Sequence, residues 1–175
     1  MEFNLYNEAL TILNSAFNYL DDKTKFKINI LLNMIDLNFQ LDKKLVLCHS
    51  DPCDKNVMFD NQCYKLIDTD MMRLLPKEFD VQRLLYNVLI NSNSVNYALD
   101  YWHSFLNNYE KDFCDVIDVN LLKNIYICDL IRTFSWLAIV SSDLSRLDRE
   151  RQGEDFKLYK QSILNDNHIK LLKKL

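Results

Sequence analysis

The chain has very little glycine and proline: Gly153 is the only glycine among its 175 residues, and the prolines are Pro52 and Pro76. Loops that wrap a nucleotide's phosphates use several closely spaced glycines, because only a residue without a Cβ lets the backbone come that near. A glycine-rich phosphate loop is therefore excluded within these residues. Gly153 is expected to mark the one flexible joint of the chain.

Paired cysteines, a basic surface and a long apolar run are also missing. The five cysteines show no Cys-x-x-Cys spacing and no charged-then-apolar leader opens the chain, so we expect a reduced, cytoplasmic protein. A formal charge of -4 argues against nucleic acid as a partner. The most apolar window, residues 125–140, contains Asp129 and Arg132 and is shorter than the roughly 20 residues of a membrane span, so no membrane is expected.

The remaining composition is that of one globular domain, with 49% apolar and 26% charged residues. Apolar side chains recur at helical spacing from Leu5 to Leu20 and from about Thr24 to Phe39, which predicts a helical hairpin within residues 1–44. Residues 45–70 hold short strand-like runs, and residues 76–175 have the spacing of a helical bundle. The predicted fold is mainly α with a small β-hairpin.

The residues most able to carry chemistry lie between His49 and Asp68. Pro52 removes a backbone donor and favours an extended Asp51, so Asp51 is expected on a loop. Two strand-like runs, 57–59 and 64–67, flank a turn-forming Asp-Asn sequence and predict an antiparallel hairpin. Such a hairpin would bring Asn56, which enters it, beside Asp68, which leaves it. An amide oxygen and a carboxylate at one point suit a hard cation such as Mg²⁺.

This order of residues resembles the carboxy-terminal lobe of the aminoglycoside phosphotransferase and choline kinase superfamily, which has a protein-kinase-like fold. The family pattern is His-x-Asp, four residues, Asn, then Ile-Asp-x-Asp/Glu after a hairpin, then a helix that opens with an aspartate. Here the pieces are His49-Ser-Asp51, Asn56, Ile67-Asp-Thr-Asp70 and Asp80. The helical remainder also looks like the family's, so the resemblance spans most of the chain.

The resemblance implies an ATP-dependent phosphotransferase that moves the γ-phosphoryl group to a hydroxyl of a small molecule. Asp51 would be the catalytic aspartate that accepts the hydroxyl proton, with His49 holding its loop by hydrogen bonds. Asn56 and Asp68 would bind magnesium. A metal ion is needed because its charge and the positioning of the reactants provide most of the acceleration in phosphoryl transfer. The cofactors implied are Mg²⁺ and, as co-substrate, ATP.

Further acidic residues match the family, and some positions depart from it. Asp70 would add a third oxygen ligand at the metal, and Asp80 would brace the catalytic loop from a helix start. Many members carry glycine after the histidine and His-Pro-Gly before the asparagine, where this chain has Ser50 and residues 53–55. Losing those glycines restricts the backbone of the loop.

Kinases of this superfamily resemble two-lobed clamps, and the amino-terminal sheet lobe has no counterpart here. About fifty residues precede Asp51, and their apolar spacing is helical. They contain no lysine that can be assigned to a strand and paired with a helix glutamate, as the family's nucleotide lobe would have. The lobe is therefore expected to be inactive without a nucleotide-binding lobe, which belongs either to a longer protein of which this chain is a fragment or to a separate polypeptide, with a homo-oligomer as another option. A non-catalytic module that binds a ligand or partner is the alternative, ahead of a magnesium-dependent hydrolase built on Asp68 and Asp70. A zinc site at Cys48, His49 and Cys53 lacks a fourth ligand.

The acceptor leaves fewer traces in the sequence. Asp129, Arg132 and Trp136 share one helix face by spacing, and Tyr101-Trp102-His103 lies on another. Aromatics with acids could bind a cationic acceptor, as the resemblance suggests, or could simply pack in the core with polar tips in water. A sugar, an amino alcohol and an aminoglycoside all remain open as the hydroxyl-bearing acceptor.

Overall fold

The computed structural model describes residues 5–36, 45–60, 63–113, 116–142 and 149–175, and within them the fold is mainly helical. The helices are α1 Leu5–Ala16, α2 Asp22–Leu32, α3 Glu78–Ser92, α4 Val95–Phe113, α5 Val119–Ser142, α6 Arg149–Leu164 and α7 Asn167–Leu172. The strands are β1 Leu45–Cys48, β2 Val57–Phe59, β3 Tyr64–Leu66 and β4 Arg73–Pro76. The mainly α prediction is confirmed.

The first two helices are shorter than their apolar spacing predicted. α1 passes into a 3-10 turn at Phe17, and α2 begins where the Asp21 carboxylate accepts the backbone N–H of Thr24 at 2.8 Å. α2 ends at Leu32, and the predicted extension to Phe39 runs into residues 37–44, which lie outside the described part.

The core is built around α5, whose buried side chains point in all directions along the helix. α1, α3 and α6 pack against it, and among the described helices α5 has the length and apolarity of a membrane span. About 67% of its most apolar stretch is buried by the other helices, as is usual for the core helix of a globular fold.

Two local expectations are corrected by this packing. α1 packs on α5 and α2 packs on α6, so residues 5–32 do not form a hairpin of helices packed on each other. Each helix finds its apolar partner far along the chain, which helical spacing alone does not reveal. Gly153 lies inside α6 rather than at a joint, because one glycine costs a helix only about 1 kcal/mol.

The strands form two separate antiparallel pairs. β1 pairs with β4, from Leu45 opposite Pro76 to Cys48 opposite Arg73, and β2 pairs with β3 as the predicted hairpin. Many of the apolar side chains on and beside these strands face outward with 51% to 77% of their surface exposed. We call this the apolar strand surface: Leu45, Leu47, Met58, Phe59, Tyr64, Leu66, Met71 and Leu74.

The side chain of His168, on α7, is buried in the core against α5 and α6. The His168 Nδ1 is 2.7 Å from the Tyr126 hydroxyl, and its Nε2 is 2.5 Å from the Ser162 hydroxyl, which donates to the carbonyl of Tyr159 at 3.1 Å. Every group has a partner if Tyr126 donates to Nδ1 and Nε2–H donates to Ser162. Burial lowers the pKa of His168 to about 3.

This histidine makes the stability of the protein depend on pH. The unfolded chain binds a proton at His168 below its ordinary pKa of 6.5, whereas the folded protein binds it only near 3, so stability is complete above 6.5 and lost as the pH falls. Going from pH 7 to pH 5 should lower the free energy of unfolding by about 2 kcal/mol through this residue. Urea unfolding at both pH values measures it. His168→Gln should remove most of this change in the free energy of unfolding, whereas His103→Gln, at an exposed position, should not. If the free energy of unfolding changed equally between pH 7 and pH 5 in the two variants, the assignment to His168 would be contradicted.

Candidate active site

The loop that carries Asp51 is hydrogen-bonded to the start of α3. The carboxylate of Asp80 accepts the backbone N–H of His49 at 2.7 Å and that of Ser50 at 2.8 Å. Ser50 has a φ of 71°, in the left-handed region that a glycine would occupy without strain. Two charge-assisted hydrogen bonds thus fix a loop conformation that its own residue disfavours.

The His49 ring joins this loop to the β2–β3 hairpin. Its Nε2 lies 2.8 Å from the carbonyl oxygen of Ile67, which can only accept, so Nε2 carries the proton. Its Nδ1 is buried and has no hydrogen-bond partner among the described residues. Because Ile67 directly precedes Asp68, the ring sets the distance between the loop and the end of the hairpin.

Asn56 contacts Asp51 directly and also starts the hairpin. Its amide nitrogen donates to the Asp51 carbonyl at 2.9 Å and to the Asp51 carboxylate at 3.4 Å, which leaves the amide oxygen outside these bonds. The Ile67 N–H donates to the Asn56 carbonyl at 2.9 Å, so the residue opposite Asn56 is Ile67. Asp68 follows it with a φ of 60° and an exposed side chain. The pairing therefore places Asp68 one residue beyond the position opposite Asn56.

A residue that the sequence interpretation missed completes the surroundings of Asp51. The Nε of Arg83 donates to the Asp51 carboxylate at 3.3 Å, and the arginine side chain is only 16% exposed. Arg83 lies three residues after Asp80, so one face of α3 presents both the acid that holds the loop and the cation that contacts its aspartate. That spacing is the signal that could have found it.

Beyond Arg83, alternating charges continue into the core. Arg83 donates to the buried carboxylate of Asp129 at 2.8 Å, Arg132 donates to the same carboxylate at 2.6 Å, and Gln82 adds a bond of 3.1 Å. Arg132 also reaches Glu8 on α1 at 3.3 Å. Burial acts to raise the pKa of Asp129, but the two arginines outweigh it and hold the pKa below its ordinary value. We call this series of alternating charges the charge ladder; its members are Asp51, Arg83, Asp129, Arg132 and Glu8.

The ladder changes the interpretation of the predicted acceptor residues. Asp129 is buried and bound to two arginines, so it is not available to a cationic molecule, whereas Trp136 on the same helix is 46% exposed. Tyr101, Trp102 and His103 have three different environments: half-buried, buried and exposed. Neither set forms a common binding face.

The predicted metal ligands have fewer acids around them than the resemblance implied. Within the described residues no three His, Cys, Asp or Glu side chains form a group that could hold a metal ion, and Asp70 lies exposed on the 3-10 turn after Asp68. Magnesium, however, commonly uses one or two protein oxygens with phosphate oxygens and waters for the rest. The amide oxygen of Asn56, which takes no part in the bonds to Asp51, and the carboxylate of Asp68 are of the chemical types that this smaller set uses.

A zinc site is less compatible with the structure. The thiol of Cys48 is buried against β4 and donates to the carbonyl of Pro76 at 3.4 Å. Burial raises the pKa of this thiol to about 12, whereas zinc binds the thiolate.

Comparison with known proteins gave no match: no family model, no curated protein and no solved structure is significantly similar to this chain.

Proposed function

We propose that this chain is the catalytic lobe of a magnesium-dependent phosphotransferase that moves the γ-phosphoryl group of ATP to a hydroxyl of a small molecule. The observation that carries the proposal is the meeting of Asp51, Asn56 and the end of the hairpin at one point, held there by His49 and Asp80. Each contact joins a residue of the family pattern to another part of the same pattern.

In this proposal, Asp51 accepts the proton of the acceptor hydroxyl. Arg83 and Asn56 both contact its carboxylate, so they restrict its rotation. Asn56 and Asp68 would hold the magnesium ion, which neutralises charge on the phosphate oxygens when it is bound. Because the loop is fixed before substrate arrives, little reorganisation is needed for reaction.

The nucleotide itself needs a second lobe. The described strands supply no glycine to cover phosphates, and the single glycine of the chain lies in α6. The β2–β3 part of the apolar strand surface adjoins Asn56 and Asp68 in the chain, and exposed apolar patches commonly mark interfaces. We assign it to a nucleotide-binding lobe, on another polypeptide or elsewhere in the same protein. A second copy of this chain could cover the surface instead. Sedimentation of the isolated chain tests this alternative, which predicts a dimer that the substitution Leu47→Lys disrupts.

The same surface favours one alternative function. A non-catalytic module would use it to bind a partner protein and would need neither ATP nor magnesium. If this alternative is right, the affinity of the chain for its partner protein should not change when ATP is added or when Asp68 is replaced by alanine.

The metal assignment gives a direct test of the kinase proposal. Asp68→Asn should raise the magnesium concentration needed for half-maximal phosphoryl transfer by at least about tenfold, because one of two protein ligands loses its charge. Transfer is measured with labelled ATP, the chain and the polypeptide that carries the nucleotide lobe. Asp60→Asn is the matched control, since Asp60 is an exposed acid on the same hairpin paired with Lys65. Asp70→Asn asks whether the second acid takes part. An unchanged magnesium requirement in Asp68→Asn would end the metal assignment.

A further inference from the structure

A cavity of about 500 Å³ opens beside the Asp51 loop, between that loop, α3 and the start of α4. Its volume is within the range of roughly 300–1,000 Å³ that small-molecule sites occupy. Pro52 and Cys53, the two residues after Asp51, form one wall. Asn87 forms another, one helical turn beyond Arg83, which contacts Asp51. A molecule in this cavity would therefore lie next to the proposed catalytic aspartate.

The polar groups of the cavity are amides and hydroxyls. Asn87 and Asn91 project from α3, and Tyr97 and Tyr101 line the α4 side. The amide nitrogen of Asn87 is buried and has no hydrogen-bond partner among the described residues. A buried donor left without a partner costs roughly 1–3 kcal/mol, and rotation of the half-buried Asn87 side chain into the cavity would let an acceptor oxygen on a bound molecule recover that cost.

The charge of the cavity selects against cations. Of the described residues that line it, none carries a charge. The nearest buried acid beyond Arg83, Asp129, is already paired with two arginines. A choline-like or polyamine acceptor would lose water around its cation here and meet no carboxylate in the lining, and the neighbouring Asp51 is already paired with Arg83.

Aromatic rings continue from the cavity along α4. Tyr101 lies 6.4 Å from Phe105 between ring centroids, and Phe105 lies 5.4 Å from Tyr109. Tyr101 also borders a second groove of about 300 Å³, and among the described residues that line this groove Asp112 is the one that carries a charge. Aromatic faces beside amide groups are a combination that suits the C–H faces and hydroxyls of sugar rings.

We infer that the cavity between the Asp51 loop, α3 and α4 binds the acceptor, and that this acceptor is an uncharged, hydroxyl-rich ring such as a sugar. The inference rests on the proposed function for its chemistry. A sugar hydroxyl oxygen forms the new bond to the γ-phosphorus of ATP as the bond to the β,γ-bridging oxygen breaks. ADP leaves with that electron pair, and Asp51 takes the hydroxyl proton.

Binding without ATP tests the inference separately from catalysis. Amide signals of the full chain are followed by NMR during titration with neutral sugars (glucose, galactose and ribose) and with two cations, choline and kanamycin. We expect a neutral sugar to shift signals of the cavity residues at millimolar concentration, and neither cation to do so.

Two variants and one control locate the binding. Asn87→Leu should weaken sugar binding about tenfold through loss of one hydrogen bond, with no loss of stability because the donor it removes is unpaired. Tyr97→Ala, at a residue that is 61% exposed and so buries little surface, should weaken it severalfold. Asn107→Leu, exposed on α4 outside the cavity, should have no effect.

The outcomes separate the two proposals. Sugar binding that both variants weaken, without phosphoryl transfer in the presence of the nucleotide lobe, would keep the cavity assignment and remove the proposed function. Transfer to choline or kanamycin would keep the proposed function and overturn the neutral acceptor. Binding of none of the sugars, or sugar binding that neither variant weakens, would overturn the inference itself.

Discussion

Asp51→Asn is expected to lower the rate of phosphoryl transfer on the order of 10²–10⁴-fold, the usual contribution of a positioned proton acceptor. An asparagine has nearly the same shape, so it can keep the contact with the amide of Asn56, but it cannot take the proton of the acceptor hydroxyl. The contact with Arg83 would weaken while that arginine keeps its stronger partner, Asp129. The fold should therefore survive the change.

The measurement is the initial rate of transfer from labelled ATP, with the nucleotide lobe supplied, at saturating acceptor. Asp60→Asn removes one carboxylate from an exposed position and should leave the rate unchanged. Urea unfolding of both variants should agree with the parent to within about 1 kcal/mol, because Asp51 is 44% exposed and its ion pair is screened. Normal turnover in Asp51→Asn would remove this residue from the chemistry, and with it the main support for a kinase.

Sequence patterns predicted those parts of the candidate site whose structure depends on residues close together in the sequence. The hairpin follows from two short apolar runs around a turn, and its pairing places Ile67, the residue before Asp68, opposite Asn56 because strands of a hairpin must run side by side. The loop position of Asp51 follows from Pro52, which prevents a helix there. The offset of one residue arose because β3 ends at Leu66, and strand ends are poorly defined by composition.

Contacts between distant segments could not be predicted in the same way. β4 is four residues long and pairs with β1 across the whole hairpin, and neither its length nor its alternation distinguishes it from a loop. Arg83 and Asp129 are separated by 46 residues and look like ordinary charged positions on two helices. Only the packing of α3 on α5 brings them together and reveals that Asp129 is not a surface acid.

The charge ladder leads to the largest effect that we expect on stability. Asp129→Asn should lower the free energy of unfolding by about 3–5 kcal/mol, because it leaves Arg83 and Arg132 mostly buried without their shared counter-charge. For a protein of this length that corresponds to a fall in Tm of roughly 6–20 °C. Thermal and urea unfolding at neutral pH measure it. Glu8→Gln is the matched control, since Glu8 ends the same ladder at a position that is 40% exposed and should cost at most about 1 kcal/mol.

A double variant identifies the cause of that loss. If unpaired buried charge is responsible, Asp129→Asn combined with Arg132→Met should be more stable than Asp129→Asn alone, because one of the two stranded cations is gone. If the loss came from packing or from the bond with Gln82, the second substitution would add to the damage. A cost below about 1 kcal/mol for Asp129→Asn would mean that water already reaches the ladder. The orientation of Asp51 would then depend on Asn56 rather than on a rigid row of charges behind Arg83.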